Sequence, residues 1–383
     1  MADPLRIMVV DDTITYRMIM KQVAESIPGT TVVASASNGQ TALDKLVRDF
    51  PDVVLLDVEM PVMDGLETLK YITKHHPDVT VVMVSGLSRS NANIVMECLN
   101  AGAFDFVTKP IEANADKARN ALRLDLEPIL SVITQKKQRA ATEPAVEAGT
   151  SRKSGDVPSS PRVRDPVQRA VAKPAAAAKG GHGSTSLYPG LVLIGSSTGG
   201  PAALTTLLAS IRQPLPVPML IVQHMPPVFT TSLALQLHRV APFTVQEAEE
   251  ALPVQPGSAI LAAGGKHMVL KGHPDNWQVS LNEGPKVNEC RPAVDVLFMS
   301  ASTVCQGPVL AVILTGMGRD GAHGVDALKR AYPNSYCITQ SRESCVVYGM
   351  PRSVDEMGLS NESLPIERIG QRIMELCIPG MVQ

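Results

Sequence analysis

The chain has 383 residues, too many for one ordinary core, and 44% are hydrophobic, a globular value that excludes wholesale disorder and collagen-like repeats. A formal net charge of −2 excludes a molecule that works as a whole by electrostatic capture of nucleic acid. Six cysteines, at positions 98, 290, 305, 337, 345 and 377, form no C-x-x-C pair, so neither a zinc ribbon nor a disulfide framework is expected.

The start, Met1-Ala2-Asp3-Pro4, lacks the basic region of a signal peptide, and no apolar run approaches the roughly 18–20 residues of a membrane helix. A soluble cytoplasmic protein is the expectation. From Leu5 to about Gln135, β-branched runs (Arg6–Val10, Thr31–Ser35, Val53–Leu56, Val79–Val84, Asp105–Val107) alternate with helical patterns (Tyr16–Ser26, Gln40–Asp49, Leu66–His75, Asn91–Asn100). Five such units predict a doubly wound parallel α/β sheet, which binds ligands beyond the carboxyl ends of its strands.

The residues at those ends are Asp11-Asp12, Asp57, Ser85 and Thr108-Lys109-Pro110. Three converging carboxylates repel one another unless a cation lies among them, and hard oxygen donors suit Mg²⁺. Lys109 and Ser85 are placed to hold phosphoryl oxygens while one aspartate attacks phosphorus. Each acid alone reads as a solvated loop residue; the set points to phosphoryl chemistry. Together with Met60-Pro-Val-Met-Asp-Gly65, these residues resemble the receiver domain of two-component response regulators. The resemblance implies that Asp57 is the phospho-acceptor and that Asp11, Asp12 and Asp57, with the Val58 carbonyl, hold Mg²⁺. Ser85 and Lys109 would convey phosphorylation into loop rearrangement, and the Lys109–Pro110 bond would be cis.

Residues 136–186 contain no aromatic residue and carry ten Lys/Arg against four Asp/Glu. Such Pro-, Ala-, Gly- and Ser-rich chain buries too little apolar surface to offset its ordering entropy, so a flexible linker is expected. A basic nucleic-acid-binding tail is the alternative, but no aromatic residue and no dense basic block support it.

After the linker the α/β rhythm restarts. The apolar strand Leu191–Ile194 leads into Gly195-Ser196-Ser197-Thr198-Gly199-Gly200-Pro201 and a helix over Ala202–Ser210. The string matches the G-x-S-x-G nucleophile elbow, although a phosphate-cradling loop competes with that reading. Met219–Val222 runs into Gln223-His224-Met225-Pro226, and Val309–Leu314 into Thr315-Gly-Met317-Gly-Arg-Asp320-Gly321. Ser197, His224 and Asp320 thus fall at one edge of a second parallel sheet. There a histidine would take the serine proton and a carboxylate would orient the ring. Singly, Ser197 reads as a helix N-cap, His224 as a structural residue and Asp320 as a turn former. Their order also differs from that of α/β-hydrolases, so a Rossmann-like sheet with a convergent triad is predicted.

These motifs, with Gly264-Gly-Lys-His267-Met, Arg291-Pro-Ala-Val-Asp295-Val-Leu-Phe298 and Tyr348-Gly-Met-Pro351-Arg, resemble the CheB-type methylesterase family of chemotaxis. The resemblance implies a receiver at 1–135, a linker at 136–186 and a catalytic domain at 187–383. It also implies a protein-glutamate methylesterase that deamidates receptor glutamines, without a cofactor for ester hydrolysis. Ser197 would be the nucleophile, His224 the base and Asp320 its orienting partner, with Thr198, Met225 and Met317 at the oxyanion site or lining the mouth. A chemotaxis histidine kinase would be the phosphodonor, methyl-accepting chemoreceptors the substrate and a monomer the working form. Two departures stand out: Ser196 replaces a small alanine before the nucleophile, and Ala262-Ala263 replaces a common Ala-Pro. Ser196 offers a second hydroxyl, and motif position favours Ser197. A DNA-binding output is disfavoured by the lack of a helix-turn-helix with a basic recognition helix. Nucleotide binding at Gly195–Gly200 remains the third reading. A linker without aromatics transmits little order, so the receiver is expected to regulate by direct contact near the catalytic mouth.

Overall fold

A computed structural model describes residues 3–110, 114–142 and 188–381, with backbone alone for 139–142. Most of the expected linker, 143–186, lies outside the described residues. The N-terminal elements are β1 (Leu5–Val10), α1 (Ile14–Ser26), β2 (Thr30–Ala36), α2 (Gly39–Asp49), β3 (Val53–Asp57), α3 (Gly65–His75), β4 (Thr80–Ser85), α4 (Arg89–Asn100), β5 (Asp105–Thr108) and α5 (Ala115–Thr142). The strands pair in parallel in the order β2-β1-β3-β4-β5. Helices cover both faces of such a sheet, so β3, Val-Val-Leu-Leu-Asp, is buried along its whole length. Side-chain caps start three of the helices: Asn38, Asp64 and Ser88 accept from the N–H of Thr41, Glu67 and Asn91. Glycine is required at Gly65, where a Cβ would stand 2.2 Å from the Asp57 carbonyl oxygen. The order reverses between β1 and β3, so their ends form the crevice.

One boundary differs from expectation. α5 continues through Lys136 to Thr142, into chain read as linker. The run Lys-Lys-Gln-Arg-Ala-Ala has high helix propensity, and Lys137 Nζ lies 2.6 Å from Asp52 Oδ2, tying that turn to the receiver. The cis X–Pro bond of the described residues is Arg291–Pro292, not Lys109–Pro110.

The C-terminal elements are β6 (Val192–Ser196), α6 (Gly200–Ser210), β7 (Met219–Gln223), α7 (Phe229–Val240), β8 (Thr244–Glu247), β9 (Ser258–Leu261), β10 (His267–Lys271), β11 (Gln278–Asn282), α8 (Val294–Val304), β12 (Leu310–Ile313), α9 (Ala322–Ala331), β13 (Tyr336–Gln340), α10 (Met350–Glu356), β14 (Glu362–Leu364) and α11 (Ile366–Cys377). Seven strands form a parallel sheet in the order β14-β13-β12-β6-β7-β9-β8, and β10 and β11 form a separate antiparallel hairpin. The chain enters at β6, builds outward through β7 and returns on the other side through β12. The switch point therefore lies at the carboxyl ends of β6, β7 and β12, as expected for a Rossmann-like sheet.

The two sheets share packing. α4 lies against α6 and α7. One apolar cluster runs from Val95 and Leu99 of the receiver to Leu204, Phe229 and Leu233. The Phe106 ring sits 4.6 Å, centroid to centroid, from Phe229. Such an aromatic pair adds about 0.5–1.5 kcal/mol beyond area burial. Gln236 Nε2 donates to Asn100 Oδ1 at 3.2 Å across the same seam. No described helix is long and apolar enough to cross a membrane.

Candidate functional site

In the receiver crevice Asp11 and Asp57 are buried and Asp12 is exposed, and one carboxylate oxygen from each lies within 4.8 Å of the others. Lys109 Nζ bridges Asp11 Oδ2 and Asp57 Oδ2, at 2.7 Å from each. Asp57 Oδ1 accepts the Val58 N–H at 2.8 Å. Burial pushes the Asp57 carboxyl up to about 6, with Lys109 opposing the rise and Asp11 adding to it. Three hard donors within reach of one small cation fit Mg²⁺. The Val58 carbonyl, the fourth expected donor, accepts the Gly65 N–H with one of its lone pairs. Ser85 is fully buried, and its carbonyl accepts the Lys109 N–H at 2.7 Å, so these two residues share a backbone bond.

At the second sheet, Ser196 ends β6 and, by strand alternation, points inward. It is fully buried and donates to Gln223 Oε1 at 2.7 Å. Ser197 lies on the other side, half-buried, on the wall of a cavity. Its hydroxyl does not cap the following helix, because Gly199, at φ 76°, is the N-cap of α6 without any side-chain bond. Gln223 Nε2 donates to the carbonyls of Ser197 (2.9 Å) and His224 (3.0 Å), clamping the two turns together. The Ser197 N–H bonds the Thr315 carbonyl at 3.0 Å. Gly316 allows this approach, since a Cβ there would stand 2.7 Å from Ser197 Cβ.

His224 Nε2 lies 2.7 Å from Asp320 Oδ2, with both side chains nearly sequestered from solvent. Asp320 also accepts the N–H groups of Val294 (2.6 Å) and Asp295 (3.0 Å) at the start of α8, and the Asn288 amide (2.8 Å). Asp295 reciprocates by accepting the N–H groups of Gly321 (2.9 Å) and Gly324 (2.7 Å) at the start of α9. The start of α8 is thus capped by a carboxylate from the turn that leads into α9, and the start of α9 by one from α8, and Asn288 also donates to Asp295 Oδ2 at 2.9 Å. Burial raises the Asp320 carboxyl, but His224 and these N–H groups outweigh it and hold the net value below the ordinary range. Burial lowers His224, yet Asp320 and the Cys290 thiol, 3.4 Å from Nδ1, outweigh it and carry the imidazole up to about 9.

The cavity, about 470 Å³, has Ser197, His224, Cys290 and Met317 on one wall and Asp105 and Asp125 of the receiver on the other. Met225 is buried in the apolar core and is not among the lining residues. The Thr198 hydroxyl is held by the receiver, donating to Asp105 Oδ2 at 2.6 Å. The sequence reading missed Asp105, Asn288, Cys290 and the helix-capping role of Asp295. Only Asp295 carried a signal, as an acid within an expected motif.

Burial pushes Asp105 up to about 6, against the hydrogen bonds from Thr198 and the Phe106 N–H. A raised carboxyl favours the docked state at low pH, and that preference is lost as pH rises through about 6. Asp105→Asn keeps an acceptor for Thr198 without the buried charge. Small-angle scattering should show the wild-type receiver loosening between acid and neutral pH and the variant staying docked. Identical pH responses of the two proteins would refute a role for Asp105 in this pH dependence.

A family model for "CheB methylesterase" matches residues 192–373, and one for "Response regulator receiver domain" matches residues 7–121. The chain is 40% identical over 374 residues to a protein-glutamate methylesterase/protein-glutamine glutaminase of Desulfotalea psychrophila, covering 97% of this chain and 98% of that one. A protein of the same name from Thermotoga maritima is 36% identical over 372 residues, covering 97% and 98%. The crystal structure of the Thermotoga maritima CheB methylesterase catalytic domain matches at 40% identity and a TM-score of 0.47, covering 49% of this chain and 98% of that chain.

Proposed function

The chain belongs to the CheB methylesterase family, with a response regulator receiver domain ahead of its catalytic domain, and from that membership we infer its work: it is a protein-glutamate methylesterase/protein-glutamine glutaminase under phosphorylation control in chemotaxis. We propose Ser197 as nucleophile, His224 as base and Asp320 as the carboxylate that orients it. The observation that carries this reading is the His224–Asp320 pair beside Ser197 on one cavity wall.

The chemistry follows from the hydrogen bonds. A carboxylate only accepts, so Nε2 of neutral His224 carries the proton toward Asp320 and Nδ1 keeps the lone pair. This reverses the commoner triad arrangement, in which Nδ1 faces the carboxylate. Nδ1 takes the Ser197 proton as Oγ attacks the methyl-ester carbonyl, then returns it to the departing methoxide, releasing methanol. Water attacks the acyl-serine by the same proton path and frees the glutamate. A glutamine side chain follows the same route with ammonia leaving. Backbone N–H groups of the Thr198–Gly199 turn, at the positive end of α6, are the proposed oxyanion donors, while Met317 lines the mouth.

In the receiver, Asp57 is proposed to attack phosphorus, and Lys109 and Ser85 to engage the phosphoryl oxygens. Mg²⁺ held by Asp11, Asp12 and Asp57 would neutralise charge on the transferring group. The proposed phosphodonor is a chemotaxis histidine kinase and the substrate a methyl-accepting chemoreceptor, with the protein acting as a cytoplasmic monomer. Strand β5 joins the two sites: Lys109 follows its end, and Asp105 and Phe106 meet Thr198 and Phe229. Phosphorylation reorders the Ser85 and Lys109 loops and loosens this seam. A complete switch from closed to open needs about 5.5 kcal/mol of differential stability, and a partial one needs less.

Methanol release from methylated receptor membranes tests the reading. The fragment from Leu187 onward should outpace the unphosphorylated chain, and a phosphodonor with Mg²⁺ should raise the full chain to at least the fragment's rate. A fragment no faster than the unphosphorylated chain would eliminate occlusion as the mechanism.

A further inference from the structure

The proposed base has one lone pair and two candidates for it. Asp320 fixes Nε2–H, which leaves Nδ1 as the nitrogen that must receive the Ser197 proton. In the closed molecule the hydrogen-bond partner found at Nδ1 is the Cys290 thiol, at 3.4 Å. The thiol is half-buried and lines the same cavity wall as Ser197 and His224. It is also locally constrained. Cys290 exchanges backbone hydrogen bonds with Val287, at 2.9 and 3.1 Å, which closes a tight loop. Asn288 within that loop, at φ 51°, is anchored to both Asp295 and Asp320. The same short segment therefore positions the carboxylate on one side of the imidazole and the thiol on the other.

We propose that Cys290 is a positioning residue that parks the catalytic base: its thiol occupies Nδ1 of His224 until Ser197 and substrate displace it, and so sets the pH range in which the imidazole accepts a proton. The proposal rests on the assignment of His224 as base. An S–H donor at Nδ1 competes directly with the Ser197 O–H. The sulfur stabilises the imidazolium more than S–H donation stabilises the neutral ring, because the Nδ1–H donor is then charged and such hydrogen bonds are about twice as strong as neutral ones. The direction of the His224 shift agrees, since the Cys290 contact raises it along with Asp320. The other charged groups near the ring are Asp295 behind Asp320, and Asp105 and Asp125 on the receiver wall, with Lys286 beside Asp125. Only Asp320, at Nε2, and Cys290, at Nδ1, touch the ring itself among these groups. Replacing the thiol therefore isolates its effect.

The test uses the full-length chain, activated with a small acyl-phosphate and Mg²⁺, on methylated receptor membranes. The rate against pH is recorded for wild type, Cys290→Ala and Cys290→Ser, and the His224 imidazole is titrated by NMR in ¹⁵N-histidine-labelled protein, assigned with His224→Gln. Cys290→Ala removes a contact that favours the protonated ring. The acid limb of kcat/KM and the imidazole titration should both move to lower pH, by roughly half a unit to one unit for a hydrogen bond of ordinary strength. KM should stay nearly constant, and Cys290→Ser, which keeps an acceptor for Nδ1–H, should fall between the two. A rate lowered equally at every pH, with the limb in place, would mark Cys290 as merely structural and overturn the proposal. So would an unchanged imidazole titration. A shifted titration with an unshifted rate limb would locate the failure in His224 as base, and the parking role would fall with it. An active His224→Gln enzyme would show that failure independently.

Discussion

Ser197→Ala is expected to lower methyl-ester hydrolysis on the order of 10⁴–10⁶-fold, because members of a nucleophile–base unit fail together when one is removed. The fold should survive, since the Ser197 side chain packs only at the cavity wall and its structural contacts run through its N–H and carbonyl. Ser196→Ala is the informative control. Its hydroxyl is buried on Gln223 Oε1, and Gln223 clamps the Ser197 and His224 turns. Losing it should cost about 1 kcal/mol of stability, with a modest loss of rate. Methanol release and thermal unfolding on both variants decide the matter. An active Ser197→Ala beside a dead Ser196→Ala would overturn the assignment of the nucleophile.

Asp57→Ala should reduce phosphoryl incorporation from a labelled acyl-phosphate to background and abolish activation by the phosphodonor. Basal demethylation should remain at the unphosphorylated level, since the receiver still docks through Asp105, Phe106 and α4. The loss is expected to be total because the proposed assignment gives Asp57 alone the bond to phosphorus and leaves Asp11 and Asp12 to hold the cation. Chelating Mg²⁺ should mimic the variant in the wild type, as the three-carboxylate cluster would then repel the incoming phosphate. Wild-type incorporation by Asp57→Ala would refute the phospho-acceptor assignment.

Most of the site residues were legible because strand ends are local features. Apolar runs such as Val53–Leu56 and Met219–Val222 announce buried parallel strands, and the polar residue after each run must sit at the carboxyl edge. That places Asp57 and Gln223, and with Gln223 the adjoining His224, without any tertiary information. Helix α5 was misjudged at its end because composition was read without propensity. Lys136 to Thr142 is rich in polar residues, yet it continues a helix already begun and anchors through Lys137 to Asp52.

The choice between Ser196 and Ser197 marks the limit of local reading. Motif position favoured Ser197, but which hydroxyl is buried follows from the strand's two-residue alternation and from where β6 ends, and that end is set by its pairing with β7. Other contacts had no sequence signal. Cys290 lies 66 positions from His224, and Asp105 lies 93 from Thr198. Neither pair shares a period, a motif or an element. Their proximity exists only after two sheets have formed and docked, when side-chain complementarity decides which surfaces meet. Local chemistry, written in the order of residues, determined the strands, their edges and which side chains stand at those edges. The partner facing each group across the cavity was decided by packing, because a contact between distant positions depends on every element that must fold between them.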